Sequence, residues 1–275
     1  MIDNAHTQAL IAALQFQVES GVASAIADVP VDKTVMAVPS LPSEMPPPVQ
    51  RASAVASEPM GSVAATLAAC AAASQANTLE ELEAAIRAFD GLAIRQTAMN
   101  CVFADGNPKA DVMVIGEAPG ADEDMQGKPF VGASGQLLDK VLSYIGLSRT
   151  AADPANAVYI SNIVNWRPPG NRTPTPQEMD ISLPFIERHI ALVKPKILLL
   201  VGNVPMKSLL RASGGIMKMR GQWHNYPVSP GESVATIATF HPAFLLRSPN
   251  HKKTVWFDIL ALQQKREELG LCAKM

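Results

Sequence analysis

The part of the sequence that most constrains the fold is the stretch 116–138, which reads GEAPGADEDMQGKPFVGASGQLL. It follows the apolar run 112–115 and precedes leucines and valines at helical spacing. A strand, a loop of about 17 residues and a helix are therefore predicted. Loops of this length in compact domains are usually functional. This loop carries four carboxylates and a single aromatic residue, Phe130, which favours a ligand site.

The rest of the chain alternates strand patterns with helical patterns, which predicts a mostly parallel sheet with helices on both faces. Pro184 is expected to kink or split its helix, and residues 214–227 are expected to be irregular or hairpin-like. Strands are predicted at residues 110–115, 158–164, 197–201 and 234–240, and helices near 134–145, 176–193, 204–212 and 253–269.

Composition narrows the class of protein. The 275 residues are 48% hydrophobic, which allows a proper core, and the three cysteines are far apart in sequence. This cysteine usage argues against a disulfide scaffold and fits a reducing cytoplasm. The first residues resemble no signal peptide, and no apolar run is long enough to span a membrane.

Charge and composition divide the chain into an arm and a core. Residues 1–91 hold 3 Lys or Arg and 10 Asp or Glu, for a net charge of −7, whereas residues 92–275 carry +5. An N-terminal helix is predicted within 1–28 and a Pro/Ala/Ser-rich, disordered linker over 29–62. The remaining residues, 63–275, are predicted to form the folded domain, and the basic charge of residues 92–275 is compatible with a polyanionic partner.

Three predicted strands end in polar residues, Glu117, Asn162 and His241. Parallel strands place these ends along one edge of the sheet, where α/β proteins bind their ligands. The sequence lacks the GK[ST] of a P-loop and the GxGxxG spacing of a dinucleotide site. A different kind of site is therefore predicted at this edge.

The motifs at this edge resemble the uracil-DNA glycosylase superfamily, most closely its family 4. The resemblance rests on GEAPGADED, GKPFVG and SGQLL, on the strand ending in Asn162 with RPPGNRTP behind it, and on FHPAFLLRSP. It covers roughly residues 88–265. It implies a three-layer α/β/α sandwich on a short, mostly parallel sheet and hydrolysis of the N-glycosidic bond of uracil in single- or double-stranded DNA, by a monomer.

The resemblance also implies roles for individual residues. His241 is the expected hydrogen-bond donor to the departing uracil, and Glu117 is expected to orient water or stabilise the sugar cation. Glu123 either shares that role or excludes the methyl group of thymine. Phe130 is expected to stack on the flipped base, and the amide of Asn162 to accept uracil and refuse cytosine.

Further positions are expected to contact the base or the DNA backbone. Apolar residues after His241 are expected to wedge between bases, and the basic residues to hold phosphates. The expected uracil contacts beyond Phe130 and Asn162 are Gly116, Ala118, Pro119 and Gly120. The expected DNA contacts are Arg167, Asn171, Arg172, Pro242, Phe244, Leu245, Leu246 and Arg247, with Lys252 and Lys253 as further phosphate contacts.

The chain departs from family 4 at the cysteines that hold a four-iron, four-sulfur cluster. The matching positions here are Phe89, Leu92, Trp166 and Ser182. Because such clusters are held by thiolates, no cluster and no other cofactor is predicted.

Two alternative functions remain open. The chain could bind uracil or abasic DNA without turnover, or it could act on other deaminated bases such as hypoxanthine or xanthine. Covalent capture of DNA through a histidine in an inserted basic loop is not expected, because residues 215–221 contain neither an insertion nor a histidine.

Overall fold

A six-stranded, mostly parallel sheet forms the centre of the computed structural model, which describes residues 62–229 and 231–272. All of these residues fall in one unit, Ala56–Met275. The spatial order is β1-β3-β2-β4-β6-β5, with four parallel strands in the middle and antiparallel β1 and β5 at the edges. The strands are β1 Asp105–Gly106, β2 Val112–Gly116, β3 Val158–Asn162, β4 Ile197–Val201, β5 Trp223–Ser229 and β6 Glu232–Thr239.

Helices cover both faces of this sheet. The described helices are α1 Ser62–Gln75, α2 Leu79–Ala88, α3 Ala121–Gln126, α4 Ala133–Ser143, α5 Pro176–Val193, α6 Asn203–Leu210, α7 Ile216–Met219, α8 Pro242–Arg247 and α9 Lys252–Glu268. Short 3₁₀ turns lie at Ala93–Thr97, Pro154–Asn156, Pro169–Asn171 and Pro249–His251.

The alternation of side chains along β2 builds two separate cores. Met113 and Ile115 pack into a cluster shared with α1, α2, α5 and α6. Val112 and Val114 pack into a second cluster, shared with α4, α8 and α9. All five residues of β2, β3 and β4 are buried, which explains their nearly continuous apolar sequence. The predicted three-layer α/β/α sandwich is therefore confirmed.

Several details of the fold can be compared with the sequence predictions. The long loop after β2 contains the short helix α3, whose N-terminus is capped within the loop. Residues 214–227 contain α7 and most of β5, which forms a hairpin with β6, as one of the two alternatives anticipated. Helix α5 continues as one element across Pro184, so of the two predicted alternatives, a kink or a split, the split is wrong.

The predicted N-terminal helix within 1–28 and the linker over 29–62 lie almost entirely outside the described residues. None of the described helices is long and apolar enough to cross a membrane.

Candidate active site

A cleft of about 440 Å³ opens at the carboxyl ends of the parallel strands. Residues from after β2, from the end of β3 and from after β6 contribute to its wall. Parallel pairing sets Gly116 beside Asn162, and Val201 beside Thr239 two residues before His241. The sheet register therefore brings the three predicted strand-end side chains to one cavity.

Most of the predicted site residues line this cleft, although not all do. Those that do are Glu117, Ala118, Pro119, Gly120, Glu123, Phe130, Asn162, Asn171, Arg172, His241 and Arg247. Those that do not are Gly116, Arg167, Pro242, Phe244, Leu245, Leu246, Lys252 and Lys253. The cleft also includes residues that were not predicted, namely Ser134, Pro168, Thr173 and Ala243.

Asn162 brings a buried amide to the floor of the cleft. It is the last residue of β3 and is 2% exposed. Its Oδ1 is buried and has no hydrogen-bond partner among the described residues. An unpaired buried acceptor costs about 1–3 kcal/mol. In a cavity wall, such an atom is an acceptor for a ligand N–H.

Phe130 is held in an unusual backbone conformation. Its φ is 54°, a region that residues other than glycine rarely adopt. Arg149 holds this segment, because its guanidinium donates to the carbonyl oxygens of Pro129 and Phe130, both at 2.8 Å. Nothing in the sequence pattern pointed to Arg149 as a residue that positions the site. Strain of this kind persists only where the surrounding structure enforces it.

The ring of Phe130 lies beside the imidazole of His241. Their centroids are 5.5 Å apart, with 29° between the planes. Gly116 makes room for this arrangement, since a Cβ there would lie 2.5 Å from Cζ of Phe130 and even closer to Oδ1 of Asn162. Gly116 therefore shapes the cleft without lining it.

His241 is arranged as a neutral hydrogen-bond donor. It caps the N-terminus of α8, and its Nδ1 accepts from the backbone N–H of Ala243 at 3.2 Å. The pKa of His241 is lowered to about 4, mainly by burial and to a lesser extent by the positive charge of Arg247, while the negative charge of Glu123 acts in the opposite direction. A neutral imidazole that accepts at Nδ1 carries its proton on Nε2.

The two candidate glutamates have different surroundings. The Glu123 carboxylate accepts from the backbone N–H groups of Gly120, Val131 and Gly132 at 2.9–3.1 Å, which ties the two ends of the loop together. Burial raises the pKa of Glu117, and a hydrogen bond from the Thr173 side chain partly offsets this. Within the described residues, three backbone N–H groups bond to the Glu123 carboxylate, whereas no such bond is seen to Glu117.

The Gly120 N–H is unavailable as an anion donor because it is bonded to Glu123. Pro119 has no N–H, so among residues 118–120 only the backbone amide of Ala118 remains as a donor to a base or a phosphate. Asp124 is 1% exposed and accepts from the backbone N–H groups of Met99 and Asn100.

The predicted wedge requires a correction. Leu245 is 2% exposed and packs in the core with α4 and α9, so it cannot enter DNA without unpacking. Phe244 packs against the rings of Phe240 and His251. Leu246 is 46% exposed, so it is the leucine of α8 that could contact DNA without unpacking the core.

The arginines predicted to contact phosphates differ in whether their side chains already have partners within the protein. Arg167 donates to Asn171 at 2.7 Å. Arg172 pairs through both nitrogens with Glu178. Arg247 is exposed, lines the cleft and has no ion pair within the described residues. Arg247 is thus the cation best placed to meet a phosphate.

The positions that match the cluster cysteines of family 4 form part of the core. Leu92 and Trp166 are buried in the cluster under α5, and Phe89 packs edge-on against Phe185 at 5.3 Å. Ser182 is 2% exposed. Apolar side chains and one hydroxyl do not fit an iron–sulfur cluster, which is held by thiolates.

The fold and the cleft define an α/β/α protein with an aromatic ring, a buried amide and an imidazole gathered in one cleft at the strand ends. Comparison with known proteins is consistent with this class. The family model described as the uracil DNA glycosylase superfamily matches residues 103–262. The chain therefore belongs to the uracil DNA glycosylase superfamily.

Two relatives show how close the likeness is. A type-4 uracil-DNA glycosylase of Pyrobaculum aerophilum is 36% identical over 175 residues, which cover 62% of this chain and 86% of that protein. A type-4 uracil-DNA glycosylase of Sulfurisphaera tokodaii is 34% identical over 203 residues, covering 72% and 87% of the two chains.

Proposed function

We propose that this protein is a DNA repair glycosylase that flips uracil out of DNA and hydrolyses its N-glycosidic bond, leaving an abasic site. One observation carries the proposal. The buried, unpartnered Oδ1 of Asn162 lies in the same cleft as the Phe130 ring and the neutral His241. The family membership and the type-4 glycosylase relatives support the same function.

Base recognition depends on Asn162 and Phe130. Uracil presents an N3–H donor beside its O4 acceptor, so Oδ1 of Asn162 accepts the first and Nδ2 donates to the second. Cytosine presents an acceptor at N3 and a donor at the exocyclic amine, which places like groups against the amide. The Phe130 ring supplies the stacking surface for the flipped base.

Bond cleavage depends on His241 and Glu117. As the bond between C1′ and N1 breaks, the electron pair moves onto uracil and negative charge develops at O2. The Nε2–H of His241 donates to that oxygen, which stabilises the charge without proton transfer. Glu117 orients a water whose oxygen bonds to C1′, and it accepts the proton that the water loses.

Glu123 has a supporting role in this proposal. Its carboxylate accepts from three backbone N–H groups, so it holds the loop that carries Phe130 rather than the water. Extrusion of the nucleotide costs a few kcal/mol. Leu246 is the wedge and Arg247 the phosphate contact that offset this cost.

The cofactor, assembly and location are also proposals. We infer an enzyme without an iron–sulfur cluster, because side chains other than cysteine occupy all four matching positions. We further propose that it acts as a monomer in the cytoplasm. The unpaired cysteines Cys70, Cys101 and Cys272 are compatible with a reducing compartment.

A cleavage assay tests the function and its alternatives. Oligonucleotides carrying uracil, thymine, hypoxanthine or xanthine are incubated with the protein, and abasic sites are revealed by alkaline cleavage. Release of uracil with little release of the other bases supports the proposal. Binding of uracil-containing DNA without base release would favour a non-catalytic module, and faster release of hypoxanthine or xanthine would favour a different base pocket.

A further inference from the structure

A second concave surface lies on the other side of helix α8 from the cleft. Ala243 and Arg247, one turn apart on α8, line the cleft, whereas Leu245 lines the second surface. We call this surface the α4–α9 groove, because the rest of its wall comes from those two helices and from the residue at the end of α4, Tyr144. Its volume is about 430 Å³.

Two aromatic residues are exposed in this groove. Tyr144 is 61% exposed and Trp256 is 38% exposed. Their rings meet edge to face, with centroids 5.8 Å apart and 88° between the planes. Exposed aromatic rings held side by side form a platform on which an unpaired base can stack.

The charged part of the groove wall is entirely cationic. Lys140, Lys252 and Lys253 line it, and no carboxylate does. All three lysines are exposed, and among the described residues none of them forms an ion pair. An apolar and aromatic floor beside unpaired lysines is complementary to the bases and phosphates of a single strand.

The groove and the cleft both take part of their lining from helix α8. Only helix α8 separates the two, and a helix with its side chains is about 10 Å across. A strand advances about 3.4 Å per nucleotide when its bases are stacked. The groove therefore lies about three nucleotides from a base seated in the cleft.

We infer that the α4–α9 groove is a single-stranded DNA subsite that binds the unpaired bases flanking the target nucleotide. This inference rests on the proposed function for its link to uracil, but the groove can be tested on DNA that contains no uracil. It predicts that the enzyme handles single-stranded substrate with a contact that duplex DNA, whose flanking bases are paired, cannot make.

The experiment compares W256A and Y144A with wild-type protein and with F257A. Phe257 is 59% exposed on the same helix but does not line the groove, so it is the matched control. Binding to an oligothymidine of about 16 nucleotides, the upper end of single-strand site sizes, is measured by fluorescence anisotropy. Excision is measured on one uracil oligonucleotide, either single-stranded or annealed to its complement.

W256A is expected to bind oligothymidine about five- to tenfold more weakly than wild type. This loss corresponds to the lower end of the range for stacking one base on an aromatic ring. KM for the single strand rises by a similar factor relative to KM for the duplex, Y144A changes in the same direction, and F257A matches wild type. Wild-type affinity in both aromatic variants, or an equal loss on single strand and duplex, overturns the inference.

Two further outcomes are distinguishable. If the wild-type protein sediments as a dimer that W256A dissociates without loss of DNA affinity, the groove is an interface between two copies and the inference is wrong. If wild-type protein releases no uracil from either substrate, the proposed function fails, and the oligothymidine measurement still decides whether the groove binds single strands.

Discussion

Gly116→Ala is a small change that tests whether the geometry of the cleft determines activity. An alanine Cβ at this position would lie 2.5 Å from Cζ of Phe130, where ordinary contacts begin at 3.4 Å. It would lie even closer to Oδ1 of Asn162. Both neighbours are buried, so at least one of them must move by about 1 Å.

A misplacement of about 1 Å in a catalytic site costs roughly 100-fold in rate. We therefore expect kcat/KM for uracil release by Gly116→Ala to fall about 100-fold, which corresponds to about 2.7 kcal/mol of transition-state stabilisation. The assay is steady-state release of uracil from an oligonucleotide, with circular dichroism and a thermal melt to confirm that the variant is folded.

Gly215→Ala is the matched control. Gly215 has a φ of −81°, and a Cβ there would meet no atom within 4 Å. We expect this variant to retain wild-type kinetics. If Gly116→Ala is folded and keeps kcat/KM within about threefold of wild type, the inference that activity requires the close packing of Phe130 and Asn162 against Gly116 is wrong.

Four other predictions concern the catalytic groups and the absence of a cofactor. Glu117→Gln is expected to lower kcat by about 10²- to 10⁴-fold with little change in KM. Glu123→Gln is expected to lower Tm, because it weakens three hydrogen bonds from backbone N–H groups. Full activity in Glu117→Gln would transfer the water-orienting role to Glu123. Because burial raises the pKa of Glu117, kcat/KM is expected to fall on acidification at a pH above the usual glutamate range, as a pH–rate profile would show. Folding stability contributed by His241 is expected to decrease as the pH falls from 6.5 to about 4, because the unfolded chain takes up a proton that the folded chain refuses; a urea titration series that is flat over this range would contradict this. Purified protein is expected to be colourless and free of iron, and visible absorbance with about four irons per chain would refute the absence of a cluster.

The strand ends were the part of the site that the sequence made predictable. Glu117, Asn162 and His241 each follow a strongly apolar run, and a parallel sheet must place such ends together. The fold class was predictable for the same reason, because strand and helix patterns alternate clearly. Boundaries shifted by only a few residues, as in β6, which begins at Glu232.

The parts that could not be predicted depend on helix phase and on long-range contacts. Leu245 and Leu246 are neighbours of identical type, and only the packing of α8 determines that the first is buried and the second exposed. The hydrogen bond from Arg149 to the Phe130 carbonyl oxygen joins residues 19 positions apart, so no local sequence pattern indicates it. The three backbone partners of Glu123 arise only once the loop has folded.

The central claim is that the amide of Asn162 selects uracil within this cleft. Its most direct test is the release of uracil and of cytosine from matched oligonucleotides by wild-type protein and by Asn162→Asp. We expect wild-type protein to release uracil and not cytosine, and Asn162→Asp to lose about 100- to 1,000-fold in uracil kcat/KM, as when a preorganised donor is removed. Uracil release by Asn162→Asp at the wild-type rate would contradict the account.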